Sequence, residues 1–283
     1  MPGVTASSVQ QARQALGRRL REIRKDVGLT ARELARRAHW HESKCSRLEN
    51  GRILPSDADI RTYTALCDAQ NQTADLIATA RGIEGAYIQW RRMERAGLRR
   101  VQQSVAPLFE RTRRFRVYQS WVIPGLLQSP AYTRAVLSTV ARLRDVPDDI
   151  DDAMAVRMDR QRILYSGDHR FAMLIEEWVL RTVIGDNDTM AGALGHLISV
   201  ASLPSVSLGV IPLGTPRGAG WPVESFTMYD DAQVNVELVS AHLTVTQPSE
   251  IAEYAKAFSE LSTIAVYGAQ ARSIITAAID SIG

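Results

Sequence analysis

The sequence predicts two domains of different fold class, an all-α N-terminal domain of five helices and a mixed α/β (α+β) C-terminal domain. Apolar residues recur at helical spacing, between short polar breaks, as far as residue 84. From Phe115 onward, runs of β-branched residues alternate with helical segments. A length of 283 residues also favours two domains, each able to bury a core. We therefore expect domains at 1–84 and 115–283, joined by a basic connecting helix over 85–114.

The N-terminal domain is predicted to contain five short helices, at residues 9–27, 31–38, 42–50, 56–67 and 73–81. Gly28 and Gly51 are stop signals for the first and third helices. Thr30 is a suitable N-cap for the second, because its hydroxyl can accept from a free backbone N–H, and Glu33 would complete a capping box. Ser56 can cap the fourth in the same way. Tight connections between short helices indicate a compact all-α domain.

The C-terminal domain is predicted to alternate strands with helices. Strands are expected at 171–176, 206–211, 224–229, 234–239 and 242–246, from β-branched content and alternation. Helices are expected at 131–142, 150–165, 177–184, 189–203, 249–261 and 268–282. Asp230-Asp231 has the composition of a hairpin turn. In the connecting helix, Tyr87, Trp90, Met93 and Leu98 would form one apolar stripe.

The charged residues are divided unevenly along the chain. Residues 1–120 contain 23 Lys and Arg against 12 Asp and Glu, whereas residues 121–283 contain 11 against 19. The net charge of +3 therefore hides a basic front half and an acidic back half. This asymmetry indicates that only the front half meets a polyanion, although basic helices that merely face solvent would give the same count.

The second and third helices have the features that reading a DNA major groove requires. The groove is about 12 Å wide and accepts one helix, whose N-terminal half presents short donors and acceptors to base edges. The outer face of the third helix is expected to present Ser43, Lys44, Ser46 and Arg47. Arg47 or Lys44 is expected to pair with guanine, and Thr30, Arg32 and Arg52 to contact phosphates on either side.

Several motifs in this region agree in register with a known family. The segments that match are Leu16–Arg21, Gly28–Thr30, Glu33–Ala35, Ser43–Arg52 and Pro55. Together they resemble the helix-turn-helix of the Xre or phage-repressor type, which implies a DNA-binding transcriptional regulator. In many family members a glutamine follows the capping residue and braces the recognition helix. Ala31 stands there in this chain, a departure that affects one expected DNA contact and not the module.

The back half of the chain carries a second resemblance. The matching segments are Pro124–Tyr132, Arg157–Leu164, Glu176-Glu177 with Leu180-Arg181, and Val236-Glu237. They are similar to the large C-terminal domain of actinobacterial regulators described as antitoxin-like. This resemblance implies a companion, because such regulators are typically encoded beside a small protein proposed to bind the C-terminal domain. It assigns no chemistry to any residue.

Two sets of residues have the types needed for zinc or acid–base chemistry, but simpler structural roles are favoured for both. His39, His41, Cys45 and Cys67 are zinc-ligand types, but the cysteines occupy apolar helical positions typical of core thiols, and the histidines would cap and line the turn. Glu176-Glu177, with Glu237 and Asp168-His169, could be taken for catalytic acids. Adjacent strand residues point to opposite faces, however, which favours structural or solvent-facing roles. No metal and no cofactor are expected.

Trp221 is the candidate for contacting a partner. It lies in a loop rich in proline and glycine, between Gly220 and Pro222. A tryptophan there offers a large contact surface to a partner, or it covers its own sheet. The loop itself is either a ligand lid or a flexible surface connection.

The sequence is therefore interpreted as a cytoplasmic, sequence-specific regulator that binds double-stranded DNA as a homodimer, because paired modules match two half-sites about 34 Å apart. No membrane span, secretory signal or disulfide framework is expected. Two alternatives remain open. One is an antitoxin-like protein that neutralises a small neighbour-encoded partner, and the other is a sensor whose C-terminal domain holds a small molecule. An enzyme is least favoured, since no phosphate loop, nucleophile elbow or metal motif is present.

Overall fold

The structure is a computed structural model that describes residues 4–83, 87–89, 97–218, 220–239 and 241–282. The chain divides into two compact units. The first unit extends to Tyr87 and also includes Thr244–Ile251, and the second comprises Ile88–Leu243 and the residues from Ala252 onward. In the part of the chain that is described, none of the helices combines the length and apolar character that crossing a bilayer requires.

The first unit contains the five predicted helices. They are α1 (Val4–Asp26), α2 (Ala31–Arg37), α3 (Glu42–Glu49), α4 (Asp57–Leu66) and α5 (Thr73–Gly82). Gly28 ends α1 in a left-handed conformation with φ of 70°. The Thr30 hydroxyl accepts from the Glu33 N–H at 3.1 Å, and Ser56 forms a complete capping box with Asp59 at the start of α4. Only the Thr30 half of the predicted first capping box is formed, since the Glu33 carboxylate accepts from Arg37.

Two glycines allow α1 and α3 to approach closely. A Cβ added at Gly17 would lie 2.6 Å from the Glu49 carbonyl oxygen, and one at Gly51 would lie 2.7 Å from the Arg13 carbonyl carbon. Gly51 also has a φ of 63°, which disfavours other residues. The backbone of α1 therefore lies directly against the end of α3. This contact is part of a core that includes Leu20, Leu34 and Ile60.

The remaining elements are short helices around a seven-stranded sheet. The helices are α6 (Leu98–Ser104), α7 (Ala106–Arg111), α8 (Pro130–Arg144), α9 (Ile150–Arg160), α10 (Glu177–Arg181), α11 (Asn187–Val200), α12 (Pro248–Thr263) and α13 (Gly268–Asp280). The strands are β1 (Tyr87–Gln89), β2 (Arg114–Gln119), β3 (Arg170–Glu176), β4 (Val206–Ile211), β5 (Phe226–Tyr229), β6 (Gln233–Glu237) and β7 (Ala241–Val245). Their order in the sheet is β1-β7-β6-β5-β2-β3-β4.

The sheet is mixed, as expected for an α+β domain. β2, β3 and β4 are parallel, whereas β5 pairs antiparallel with both β2 and β6. The β5–β6 hairpin turns at the predicted Asp230-Asp231, where Asp230 has a φ of 52°. Its carboxylate accepts from the Arg114 N–H at 2.8 Å, which fixes the turn to the start of β2. The predicted fold class, a helical N-terminal region followed by an α+β region, is therefore confirmed.

The predicted connecting helix over 85–114 is wrong as a single element. Residues 87–89 form β1, Gly97 has a φ of 90°, and the helical part is divided into α6 and α7. The last residue of the range, Arg114, already belongs to β2. Residues 84–86 and 90–96, which include Trp90 and Met93 of the predicted stripe, lie outside the described residues.

Candidate nucleic-acid interface

Helices α2 and α3 are joined by a tight turn at residues 38–41. His39 takes a left-handed conformation with φ of 56°, which reverses the chain within the turn. The Trp40 N–H donates to the Ala35 carbonyl at 2.8 Å, and His41 caps α3 by accepting from the Ser43 N–H at 3.2 Å through Nδ1. The predicted role of a histidine in capping this turn is therefore confirmed for His41. Side-chain caps thus define the starts of both α2 and α3.

The outer face of α3 presents polar side chains to solvent. Ser43, Ser46 and Arg47 are exposed, as predicted, whereas Cys45 and Leu48 are buried beneath them. Ser43 Oγ lies 2.8 Å from His41 Nδ1, and Asn50 donates to Ser46 Oγ at 3.2 Å. Among the described residues, the Arg47 guanidinium makes one hydrogen bond, of 3.3 Å from Nε to the Ser43 carbonyl. Its two terminal amino groups have no partner in that part of the chain.

The predicted phosphate-contacting residues flank this face. The side chain of Arg32, on the first turn of α2, is 86% exposed and forms an ion pair with Glu42 at 2.8 Å. Thr30 is exposed, but its hydroxyl already caps α2. Arg52 is exposed just after α3, where its N–H donates to the Arg47 carbonyl at 2.9 Å. The structure thus brings all three to the ends of α2 and α3.

Lys44 does not share the exposed position predicted for it. Its ammonium donates to the Asp59 carboxylate at 2.5 Å and lies 4.5 Å from the centre of the Trp40 ring. The hydrogen bonds from Lys44 and Ser56 outweigh the effect of burial and lower the pKa of Asp59. Lys44 therefore connects α3 to α4, and its charge is already neutralised by a carboxylate.

A buried ionic network holds α3 from beneath, and sequence reasoning missed it. Arg24 of α1 donates to Glu49 of α3 through Nε and Nη2, at 2.7 and 2.8 Å. The Tyr63 hydroxyl of α4 donates to the same carboxylate at 2.8 Å, and Arg21 Nε at 3.1 Å. Arg24 Nη1 also donates to the Leu29 carbonyl at 2.6 Å. One carboxylate thus joins α1, α3 and α4 behind the exposed face.

The charge on Glu49 is stabilised by these donors. Burial alone would raise the pKa of this carboxyl, but the hydrogen bonds from Arg24, Tyr63 and Cys45 reverse that effect and lower it to about 2. Burial and the bond to Glu49 raise the pKa of Cys45 to about 12, and burial raises that of Cys67 to about 11. Both cysteines lie in the core of the first unit as protonated thiols, as predicted.

A second exposed surface lies at the carboxyl ends of the parallel strands. The register pairs Gln119 with Ile175 and Glu176 with Ile211, so β2, β3 and β4 end level with one another. An exposed apolar side chain follows each strand within two residues: Trp121, Trp178 and Leu213. We call these three residues the strand-end surface. In open sheets, ligands bind at the carboxyl ends of parallel strands.

The loop that contains Trp221 is attached to the same edge of the sheet. Arg217 donates to the buried Glu176 carboxylate at 2.5 and 3.0 Å, and the Tyr118 hydroxyl donates to it at 2.8 Å. The Ser225 hydroxyl accepts from the Ser120 N–H at 2.9 Å. The loop is thus anchored at both ends beside the strand-end surface. Trp221, which is 77% exposed, does not cover its own sheet.

The first unit is a helix-turn-helix DNA-binding domain, of the kind that transcriptional regulators carry. A family model described as "Helix-turn-helix domain" matches residues 15–77, which span α1 to α5. A second family model, described as "Domain of unknown function (DUF5753)", matches residues 102–277, which is more than half of the chain. The protein therefore belongs to the DUF5753 family. Comparison with curated proteins and with solved structures gave no match.

Proposed function

We propose that the protein is a sequence-specific transcriptional regulator of the Xre type, in which α3 enters the major groove of operator DNA. The observation that supports this most directly is the exposed face of Ser43, Ser46 and Arg47 above a buried carboxylate that fixes their helix. The terminal amino groups of Arg47 have no partner among the described residues, so they suit bidentate pairing with guanine O6 and N7. Lys44 is not assigned a base contact, because Asp59 already pairs with it.

Arg32 and Arg52 are proposed to contact phosphates, together with Thr30 at the start of α2. Both arginines are exposed at helix ends, where they suit backbone contacts that position the protein without reading sequence. A homodimer is proposed because a single helix-turn-helix reads few base pairs, and two modules match half-sites about 34 Å apart.

The experiment is a binding titration by fluorescence anisotropy, at near-physiological salt, with DNA from upstream of the protein's own gene and a scrambled duplex of equal length. Losing a bidentate guanine contact costs about 1–3 kcal/mol. Arg47→Ala should therefore weaken operator binding by roughly 5- to 150-fold and leave scrambled-DNA binding little changed. Arg52→Ala should weaken both by a similar factor and flatten the salt dependence.

Arg142→Ala is the matched control, because Arg142 is an exposed arginine on α8 in the other unit. It should bind both duplexes like the wild type. Equal losses on both duplexes in Arg47→Ala and Arg52→Ala would overturn the assignment of Arg47 to base reading.

A second role is proposed for the second unit. It would bind a small protein encoded nearby, as in antitoxin-like regulators. The strand-end surface with Trp221 supports it, since exposed aromatic residues in one area are typical of interaction sites. Binding is favoured over catalysis, because the two adjacent carboxylates have structural partners. Glu176 accepts from Arg217, and Glu177 accepts from Arg181 and from the Leu213 N–H.

Co-expression with the small neighbouring protein, followed by affinity purification, tests this second role. Trp221→Ala should reduce the recovered partner at least tenfold, as expected for loss of a tryptophan hot spot of about 2 kcal/mol. Tyr165→Ala is the control, because Tyr165 is also highly exposed but precedes the amino end of β3, at the opposite edge of the sheet. Equal recovery with both variants would contradict the proposed surface.

A further inference from the structure

Helix α9 directs two arginines into the second unit. Arg157 and Arg160 are three residues apart, so their side chains lie on the same face of the helix. Both are partly buried, and the Nε atom of each is fully enclosed without a hydrogen-bond partner in the described part of the chain. Leaving a buried donor unsatisfied is unfavourable, and more so for a charged group. Such atoms therefore need an explanation.

Neither arginine has a carboxylate as an ion-pair partner among the described residues. Arg160 donates only to neutral acceptors, the Gln102 side chain at 2.9 Å and its carbonyl at 3.4 Å, and its guanidinium lies 4.5 Å from the centre of the Phe109 ring. Arg157 makes no hydrogen bond to any described residue, and Glu237 of β6 interacts with it only through longer-range electrostatic attraction. The charges of the two guanidiniums are thus not balanced locally.

The acidic residues of α9 cannot supply the balance, because other arginines engage them. Asp151 pairs with Arg134, Asp152 with Arg99 at 3.0 Å, and Asp159 with Arg162 at 2.5 Å. The helix thus separates its charges, with carboxylates paired on the outside and guanidiniums directed inward.

The surroundings of Arg157 are shaped to admit its guanidinium. A Cβ added at Gly125 would lie 2.6 Å from Arg157 Nη2, so any other residue there would force the guanidinium to shift from this position. Gln161 donates to the Gly125 and Gln128 carbonyls at 3.3 and 2.8 Å, which holds that segment against α9.

The pKa values of both arginines reflect their burial and the lack of a carboxylate partner. Burial lowers the pKa of Arg157, and burial followed by repulsion from Arg157 lowers the pKa of Arg160 to about 10. A guanidinium keeps its positive charge in proteins, so both groups count as cations. Two like charges held together in a partly dry site favour an anion that neutralises them.

We propose that Arg157 and Arg160 form a binding site for an oxyanion, a carboxylate or phosphate group carried by a small molecule. Guanidinium groups suit these ligands, because their planar donors match the spacing of the ligand oxygens. The site lies wholly within the second unit and does not depend on DNA binding by the first. Through this site the second unit would bind a small anionic molecule.

The test is calorimetric titration of the full-length protein with inorganic phosphate and, separately, with acetate, in a chloride buffer of matched ionic strength. Wild type should show saturable binding to one site per chain with at least one of the two anions. Saturation by phosphate alone would assign a phosphate group to the ligand, and saturation by acetate alone a carboxylate. Saturation by both would show that either oxyanion is accepted.

Arg157→Met removes the charge and keeps the length of the side chain, so binding should weaken at least tenfold. Arg162→Met is the matched control, because Arg162 is exposed and paired with Asp159, and its binding should equal that of the wild type. Gly125→Ala is a second, milder variant that displaces the Arg157 guanidinium and should also weaken binding. Absence of saturable binding to both anions in the wild type, or equal binding by Arg157→Met and Arg162→Met, would overturn the proposal.

Discussion

Replacing Glu49 with glutamine tests whether the buried network fixes the recognition helix. The substitution keeps the shape of the side chain and removes its charge. Glu49 is 3% exposed and accepts from Arg24, Arg21, Tyr63 and Cys45. A glutamine has one acceptor oxygen, so the donors to either Oε1 or Oε2 would lose their partner, and the amide would face the Arg24 guanidinium with donors of its own.

The expected loss of stability follows from the pKa of Glu49. A pKa of about 2 in the folded protein, against the ordinary value of 4.5, corresponds to roughly 3 kcal/mol of stabilisation of the charged form. Breaking one side of a buried ion pair typically costs about 3–5 kcal/mol, because the remaining charge stays buried without compensation. The two figures agree, so Glu49→Gln should destabilise the first unit by about 3 kcal/mol.

Hydrogen–deuterium exchange of peptides from α1 and α3 measures this loss of stability in the full-length protein. Peptides from these helices report the opening of the first unit without a contribution from the second. The open fraction should rise by on the order of 100-fold, equivalent to about 3 kcal/mol. Glu42→Gln is the control, since Glu42 lies on the same helix but its side chain is 61% exposed. Equal exchange in Glu49→Gln and Glu42→Gln would refute the reasoning.

The same network predicts how stability depends on pH. The folded pKa of Glu49 is lower than its unfolded value, so its contribution is complete above about pH 4.5 and is lost as the pH falls toward 2. Exchange in α3 of the wild type should therefore accelerate over that interval. Glu49→Gln should lack this component, and an identical acid profile in both proteins would contradict the assignment.

Two glycine substitutions with opposite expected signs test the packing around Gly17 of α1 and Gly192 of α11. Gly17→Ala should destabilise the first unit by about 1–3 kcal/mol, since its Cβ would press on the Glu49 carbonyl and force the helices apart. Gly192→Ala in α11 should instead stabilise the second unit by up to about 1 kcal/mol, because nothing lies within 4 Å of the added methyl group and alanine favours helix. Denaturant unfolding monitored by circular dichroism measures both, and a stabilised Gly17→Ala or a destabilised Gly192→Ala would contradict the packing described.

The elements that could be predicted from sequence are those set by local signals. The five helices of the first unit were recognisable from apolar spacing and from caps such as Thr30 and Ser56, which act within three residues. The hairpin turn at Asp230 was also recognisable from a local signal, the adjacent aspartates Asp230-Asp231. The five predicted strands are all present because each has its own alternation or β-branched run.

Strand β2 was not recognised, because its apolar alternation is short and is interrupted by charge. Arg114 follows an arginine-rich segment and was therefore assigned to the end of the connecting helix, and the charge of Arg116 interrupts the apolar run that begins at Phe115. In the folded chain both arginines pair at 2.5 Å with Asp231, more than a hundred residues away. Sequence inspection alone does not reveal a partner at that distance.

The position of Lys44 and the role of Glu49 were missed for the same reason. Whether Lys44 faces DNA or α4 depends on Asp59, which lies fifteen residues further along the chain. Glu49 did carry a signal, because it follows the inward Leu48 and stands four residues after the inward Cys45. An acidic residue in such a position indicates a buried basic partner, here Arg24.

The first unit is not a continuous stretch of the chain, since it also includes residues 244–251. There, the Ser249 N–H donates to the Asp75 carboxylate at 3.1 Å, and Gln247 donates to the Thr79 hydroxyl at 3.4 Å, both on α5. A ribosome must therefore synthesise almost the whole polypeptide before the DNA-binding unit can acquire its last segment. Expression of residues 1–84 alone would yield the five helices without it, so binding studies on such a fragment would describe an incomplete unit.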